Sequence, residues 1–309
     1  MKDRNFFKRA YTVMEIRTGF ATGLPVLSGG LFGAYLCGDI KVLLLLLMFI
    51  SGFCFNIVAN IANEIRAYIK HEENEDTFTG HKGSEGLVRG DAKIRDAIIA
   101  LMLMIALGGA TGILIVLITK DIKILIIGIL SLIAAICYSL GPKPYILYPV
   151  GEIVSGIFVG LISSLVSAYI QLGSFKLEIF IYSLISMIMT VFLMSTNNTS
   201  DYIKDKGVRI TLPHVIGFRN SIKILIPEGI VMVVSWIILY FIGSINLIIF
   251  ITGLFTFYYY GYVKFYKDYY KIQEVYKEMG REWGPRPLLL IYSFHILVSI
   301  EFLFFIVFK

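Results

Sequence analysis

Nine runs of about 20 apolar residues recur along this chain, the length a helix needs to cross the hydrocarbon core of a bilayer. They fall at about 19–38, 42–66, 96–119, 122–140, 150–172, 178–196, 221–242, 245–263 and 288–308. The chain has 309 residues, 57% of them hydrophobic and only 16% charged. A soluble domain carries about a quarter charged residues. The expectation is therefore an all-α integral membrane protein, a single polytopic domain over 1–309 with nine transmembrane helices embedded in a lipid bilayer.

The net charge of +6 does not point to nucleic acid. In a membrane protein, basic residues mostly set orientation. Here they concentrate in the N-terminal tail and in the polar segments after spans 2, 4, 6 and 8, while the opposite side keeps only Lys41, Lys120, Lys123, Lys176 and Lys309. That distribution predicts a plasma-membrane protein with a cytoplasmic N-terminus and an outer C-terminus. Cys37, Cys54 and Cys137 lie in or beside apolar runs without metal-like spacing, and they read as core thiols. No signal-peptide pattern follows the basic N-terminus, so the first span is expected to be retained.

Polar segments four spans apart open alike, with Asn60-Ile-Ala-Asn-Glu64 after span 2 and Asn197-Asn-Thr-Ser-Asp201 after span 6. This similarity suggests two four-helix halves, about 19–140 and 150–263, plus a ninth helix at 288–308.

Asn197, Asp201 and Asp205 stand at i, i+4 and i+8, which places them on one helix face over two turns. Two aspartates on one face beside a membrane repel each other unless a cation neutralises them. Hard oxygen ligands favour Mg²⁺, whose shell is completed by water and substrate phosphate. After span 2, Asn60, Asn63 and Glu64 share a helical face that continues through Ala67 and His71. The glycine-rich loop Gly80–Asp91 adds Lys82 and Arg89, a combination suited to wrapping an anion. Acids, basic residues and greasy surroundings together suggest a site for a polyprenyl diphosphate held through Mg²⁺.

Over nearly its whole length the chain resembles the UbiA superfamily of membrane prenyltransferases. That resemblance rests on the second Asp motif, intact as NNTSDYIKDKGVRITLPHVIG, while the stretches EIRTGFATGLPVLSGGLFGAYL and GSEGLVRG resemble the first helix and the loop after helix 2 of one branch of it. The Gly-Pro-x-Pro and Gly-Glu run from Tyr138 to Gly173 is similar to the branch that prenylates 1,4-dihydroxy-2-naphthoate in menaquinone biosynthesis. The first motif departs from the family's Asn-Asp-x-x-Asp-x-x-x-Asp, because Asn63, Glu64, Ala67 and His71 stand at its positions.

The resemblance implies a UbiA-type bundle with its active site at the cytoplasmic side. Asn63, Glu64, Asn197, Asp201 and Asp205 would hold Mg²⁺, while Lys82, Arg89, Lys206 and Arg209 would neutralise the leaving diphosphate. Tyr138, Tyr145 or Tyr148 would face the allylic cation, Glu152 would orient the aromatic acceptor or take its proton, and Asn60 and Arg17 would contact substrate. The alternatives are a prenyltransferase with another acceptor (a different quinone precursor, a phenol or a lipid) and an inactive lipid-diphosphate binder or transporter.

Overall fold

A computed structural model describes residues 5–72, 85–272 and 286–308 of the chain. Among the described residues every regular element is helical, and nine helices are long and apolar enough to cross a membrane. They are Ile16–Cys37, Val42–Lys70, Ile94–Thr119, Ile122–Ser139, Gly151–Leu172, Leu177–Ser200, Phe218–Phe241, Leu247–Tyr269 and Arg286–Val307, here spans 1 to 9. Each expected run is present. Spans 2 and 8 continue further than expected, to Lys70 and Tyr269.

Short links turn the chain straight back, so the helices they join run antiparallel. Span 1 ends at Gly38 with φ 76°, and the Gly38 N–H donates to the Ala34 carbonyl at 2.7 Å. Span 5 closes the same way at Gly173 with φ 79°. Glycine suits both positions because a side chain disfavours the left-handed backbone that caps a helix C-terminus.

The spans are buried very unequally. Span 1 has 72% of its apolar window inside the bundle, whereas spans 3 and 4 have 17% each. Lipid offers no hydrophobic drive between helices, so close packing rests on small residues that let backbones approach. Gly29 and Gly33, one turn apart on span 1, face Ser164 and Ala168 of span 5. A methyl group on Gly33 would sit 2.4 Å from the Ala168 carbonyl oxygen and 2.9 Å from its Cα. Span 5 repeats the device with Gly160, which lies against the backbone of Ser186 and Met187 in span 6.

Spans 1, 5 and 6 thus form the frame. Tyr182, Trp236, Phe294 and Phe302 fill its flank, all fully buried. Phe32 stacks on Tyr182 at 4.6 Å, and Trp236 meets Phe294 edge-on at 5.2 Å. Such ring pairs each add about 0.5–1.5 kcal/mol beyond the area they bury.

Two features carry the frame towards a site. Span 2, at 29 residues, is about 43 Å long. The hydrocarbon core is about 30 Å thick, so the last turns of the span, Glu64 to Lys70, reach the interface or beyond. A short helix, Phe6–Met14, lies against span 3 and the residues that precede it. Its Arg9 makes a forked ion pair with Asp96 at 2.8 and 3.0 Å, and its Thr12 carbonyl accepts the Gly86 N–H at 3.2 Å. These bonds fix the position of the neighbouring Glu85.

Candidate active site

Spans 1 to 6, span 9 and Glu85 line one cavity of about 640 Å³. Its mouth is polar and lies at the end of the bundle where spans 2, 4 and 6 finish. Its depth is apolar, walled by Met48, Phe55, Ile115, Ile127, Phe158 and Ile162. Phe158 and Ile162 belong to a π-helical stretch of span 5, Gly156–Ile162. Such wide turns recur at functional sites.

Span 2 contributes Asn60, Asn63, Glu64 and Ala67 to the wall, as the helical spacing predicts. Glu64 is nearly buried and accepts the backbone N–H of Glu85, which ties the helix to the following loop. Asn63 accepts from the Ser139 hydroxyl at 3.4 Å. The Asn60 amide donates to the Thr18 hydroxyl at 2.7 Å and to the Met14 carbonyl at 3.2 Å. Ala67 therefore presents a methyl group where the family pattern has a carboxylate. His71 caps span 2 in the left-handed region with φ 53°, is exposed, and does not line the cavity.

Span 6 contributes Asn197 and Asp201. The expected continuous helix through Asp205 is not found, because the helix ends at Ser200 and Asp201 is its cap. Asn and Ser side chains compete for backbone partners and loosen a helix end. The register nevertheless persists as turns. The Asp201 N–H donates to Asn197 (2.9 Å), Asp205 to Asp201 (2.8 Å), and Arg209 to Asp205 (3.1 Å), each to the carbonyl. Asn197, Asp201 and Lys204, at i, i+4 and i+7, face the cavity.

Asp205 does not line the cavity. It is buried and pairs with Arg209 at 3.1 Å, while Arg209 itself reaches the cavity wall. Burial disfavours the Arg209 charge, yet Asp205, Tyr138, Asp201 and Glu72 together hold its guanidinium above the ordinary value.

Other expected residues divide in the same way. Tyr138 and Arg17 line the cavity, and the Arg17 carbonyl accepts from the Tyr292 hydroxyl at 2.5 Å. Lys206 is exposed and outside the lining, and Lys204 takes the place expected of it. Arg89 is also outside, 3.7 Å from Asp91. Lys82 falls outside the described residues. Tyr145 and Tyr148 do not line the cavity, although Ile146 between them does; the Leu147 carbonyl accepts the Ile210 N–H at 3.2 Å, so this stretch braces the second motif.

Two cavity acids are absent from the sequence expectation, Glu15 and Glu85. Both have positive φ, 45° and 58°. A left-handed backbone costs a non-glycine residue on the order of 1–3 kcal/mol, and such strain clusters at functional sites. Their positions depend on tight turns, which hydrophobic periodicity does not encode. Lys204 could have been found from its i+7 spacing.

Glu152 is buried and outside the cavity lining. Its carboxylate accepts the Asn198 amide at 2.6 Å and the Leu212 N–H at 3.2 Å. One turn back along span 6, the Ser195 hydroxyl donates to buried Glu228 at 2.8 Å. The two glutamates grip the helix that aims Asn197 and Asp201. We predict that Glu152→Gln, which keeps the acceptor oxygen, retains turnover within about fivefold of wild type, or about 1 kcal/mol. Glu152→Ala removes the acceptor of two half-buried donors, at up to about 1–3 kcal/mol each, so it should lose both thermal stability and rate. Equal inactivity of the two variants, both folded, would instead make Glu152 a proton acceptor.

Among the described residues the donor set at the mouth is all oxygen, with the carboxylates of Glu64, Glu85 and Asp201 and the amides of Asn63 and Asn197, and neither a His nor a Cys of the described residues lines the cavity. That chemistry fits Mg²⁺. Among the described residues, no three His, Cys, Asp or Glu side chains gather into a cage able to hold a metal on their own. The set therefore fits an ion that arrives with oxygen ligands of its own.

The sequence model of the UbiA prenyltransferase family matches residues 7–277. The chain is 27% identical over 208 residues to the 1,4-dihydroxy-2-naphthoate octaprenyltransferase of Bacillus subtilis (strain 168), covering 66% of this chain and 65% of that protein. It is 26% identical over 171 residues to the Escherichia coli (strain K12) protein of the same name, covering 55% and 56%. The alignments thus span between half and two thirds of those relatives. Among solved structures, a UbiA homolog from Archaeoglobus fulgidus bound to DMAPP and Mg²⁺ superposes with a TM-score of 0.64 at 18% identity, over 94% of this chain and 99% of that one. A digeranylgeranylglyceryl phosphate synthase superposes with 0.62 at 18% identity, over 98% of both chains. At this identity the structural likeness establishes the fold.

Proposed function

The chain belongs to the UbiA prenyltransferase family, and from that premise we propose that it transfers a polyprenyl group from its diphosphate to 1,4-dihydroxy-2-naphthoate. The observation that carries the proposal is the two-ended cavity. Asn63 and Glu64 from span 2, with Asn197 and Asp201 from span 6, line a polar mouth above an apolar depth. A diphosphate with a greasy tail has that polarity. The relatives named as octaprenyltransferases of this naphthoate support the choice of donor class and acceptor. The solved homolog bound to DMAPP and Mg²⁺ supports the pairing of diphosphate and metal.

Asn63, Glu64, Asn197 and Asp201 would hold Mg²⁺, which when bound neutralises charge on the diphosphate. Lys204 and Arg209 add fixed positive charge at the mouth, where the leaving group becomes more anionic. Asp205 orients Arg209 and keeps it charged. As the allylic C–O bond breaks, its electron pair leaves with the diphosphate. The Tyr138 ring at the cavity wall then offers its face to the allylic cation, a contact of about 0.5–2 kcal/mol. A ring carbon of the electron-rich acceptor forms the new C–C bond, and the ring regains aromaticity by keeping the electron pair of the bond it breaks there, releasing carbon dioxide from a carboxylate-bearing carbon or a proton to water from an unsubstituted one. The basic residues around the mouth orient it towards the cytoplasm of a plasma-membrane protein.

The test is direct. Purified protein in detergent, given Mg²⁺, labelled polyprenyl diphosphate and a panel of acceptors, should prenylate the naphthoate in preference to other phenols and to glycerol-based lipids. Transfer to a different acceptor alone would keep the chemistry and replace the substrate. Tight diphosphate binding without transfer to any acceptor would leave a lipid-diphosphate binder.

A further inference from the structure

Three positions of the first motif carry acid in the family pattern, and here only Glu64 does, since Ala67 and His71 occupy the other two. Another acid reaches the same wall from outside the motif. Glu85, between spans 2 and 3, lies 21 residues beyond Glu64 and lines the cavity with it. Its backbone N–H donates to the Glu64 carboxylate. The root of the Glu85 side chain is therefore one covalent bond and one hydrogen bond from that carboxylate. Both residues are buried, Glu64 at 6% exposure and Glu85 at 5%. Two carboxylates rooted this close disfavour each other's charge. A divalent cation reverses that preference, because it attracts both.

The surroundings of Glu85 hold it in place. Its carbonyl accepts the Arg89 N–H at 3.0 Å, and the Gly86 carbonyl accepts the Ala92 N–H at 3.0 Å. Gly86 packs so tightly on the helix Phe6–Met14 that a Cβ would overlap Thr12. Arg9 of that helix is anchored to Asp96. Glu85 itself takes φ 58°, a left-handed backbone that is costly for a residue with a side chain. A solvated loop acid gains nothing from that cost, whereas a ligand held against an ion does.

We propose that Glu85 replaces the missing acid of the first motif and joins Glu64 as a ligand of the divalent cation. This rests on the prenyltransferase reading and adds to it a metal ligand outside both motifs. The span 2 side of the mouth thereby keeps two acids, to act with Asn197 and Asp201 from span 6. Glu85→Gln separates a ligand from a brace, because it keeps the shape and the backbone N–H to Glu64 and removes only the charge.

The experiment titrates Mn²⁺, which takes the same oxygen ligands as Mg²⁺, into purified protein in detergent. The protein holds an unreactive thiolo analogue of a polyprenyl diphosphate, and electron paramagnetic resonance follows the free ion. Glu85→Gln should weaken Mn²⁺ binding about tenfold or more, and Glu85→Ala should match it. Adding Ala67→Asp to Glu85→Gln returns an acid to the family's own position and should recover most of the loss. Ala67→Asp alone should stay within about threefold of wild type, because Glu85 already fills the role. The Mg²⁺ concentration for half-maximal transfer should follow the same order. Unchanged Mn²⁺ affinity in both Glu85 variants overturns the assignment and leaves the prenyltransferase reading standing. A loss that Ala67→Asp does not repair also overturns it, since Glu85 then serves the loop and not the ion. A gain of about tenfold or more from Ala67→Asp alone overturns it even if the Glu85 variants do not fold. A wild type that binds neither Mn²⁺ nor the analogue and transfers no prenyl group overturns the reading itself, and the assignment with it.

Discussion

Asp201→Ala is expected to lower turnover by about 10³-fold or more, equivalent to about 4 kcal/mol of transition-state stabilisation. Asp201 caps span 6 and faces the cavity, where it is one of two motif carboxylates together with Glu64. The first motif is already short of acid, because Ala67 offers a methyl group to the same wall. Removing Asp201 takes away the only motif carboxylate that faces the cavity from the span 6 side, and with it that side's charged ligand for a divalent cation. Asp201→Asn should fare little better, since the shape survives and the charge does not. Asp205→Ala should be comparably severe by another route, because it strips Arg209 of its partner 3.1 Å away. The measurement is single-turnover transfer of labelled prenyl group, alongside thermal melting in detergent. Near-normal rates in folded Asp201→Ala and Asp205→Ala proteins would rule out a metal-assisted diphosphate site here.

Gly33→Leu is expected to abolish folded protein altogether. A Cβ at this position would meet the Ala168 carbonyl oxygen at 2.4 Å, and backbone atoms cannot rotate aside as a side chain can. Overpacking ordinarily costs about 1–3 kcal/mol and occasionally more. Here it would wedge apart span 1, the most buried helix, from span 5. Membrane-extracted Gly33→Leu should therefore give no monodisperse peak and no cooperative melt. Gly109→Ala is the matched control. No atom lies within 4 Å of the Cβ it would gain, so the helix should tolerate it or gain stability of up to about 1 kcal/mol. A normally melting Gly33→Leu protein would mean that the two backbones are not in contact.

The sequence makes the bundle legible because a membrane imposes a coarse rule, about 20 apolar residues for each crossing. Helical spacing likewise brought Asn60, Asn63, Glu64 and Ala67 to one wall. Legibility ended where the chain stops being helical. Beyond Ser200 the register persists only as turns, so Lys204 keeps its i+7 place on the cavity face while Asp205 turns to Arg209. Glu15 and Glu85 arrive through positive-φ turns that no periodicity announces. Glu152 was recognisable as a buried acid near the site. What it touches depended on how Leu212, sixty residues later, folds back onto it. The seam between spans 1 and 5 was likewise written in small residues, but their partner was not apparent from local sequence.

The unequal burial of the spans separates two kinds of freedom to vary. Spans 1, 5 and 6 hold the bundle through backbone contacts, where even a methyl group is excluded. Spans 3 and 4 are mostly turned outward, yet they supply Gly112, Ile115, Ile124 and Gly128 to the wall of the cavity. Their substitutions change the room inside without loosening the seams. A lineage of such proteins can therefore drift in the size of molecule it accommodates through spans 3 and 4 while the seams among spans 1, 5 and 6 stay under strict constraint.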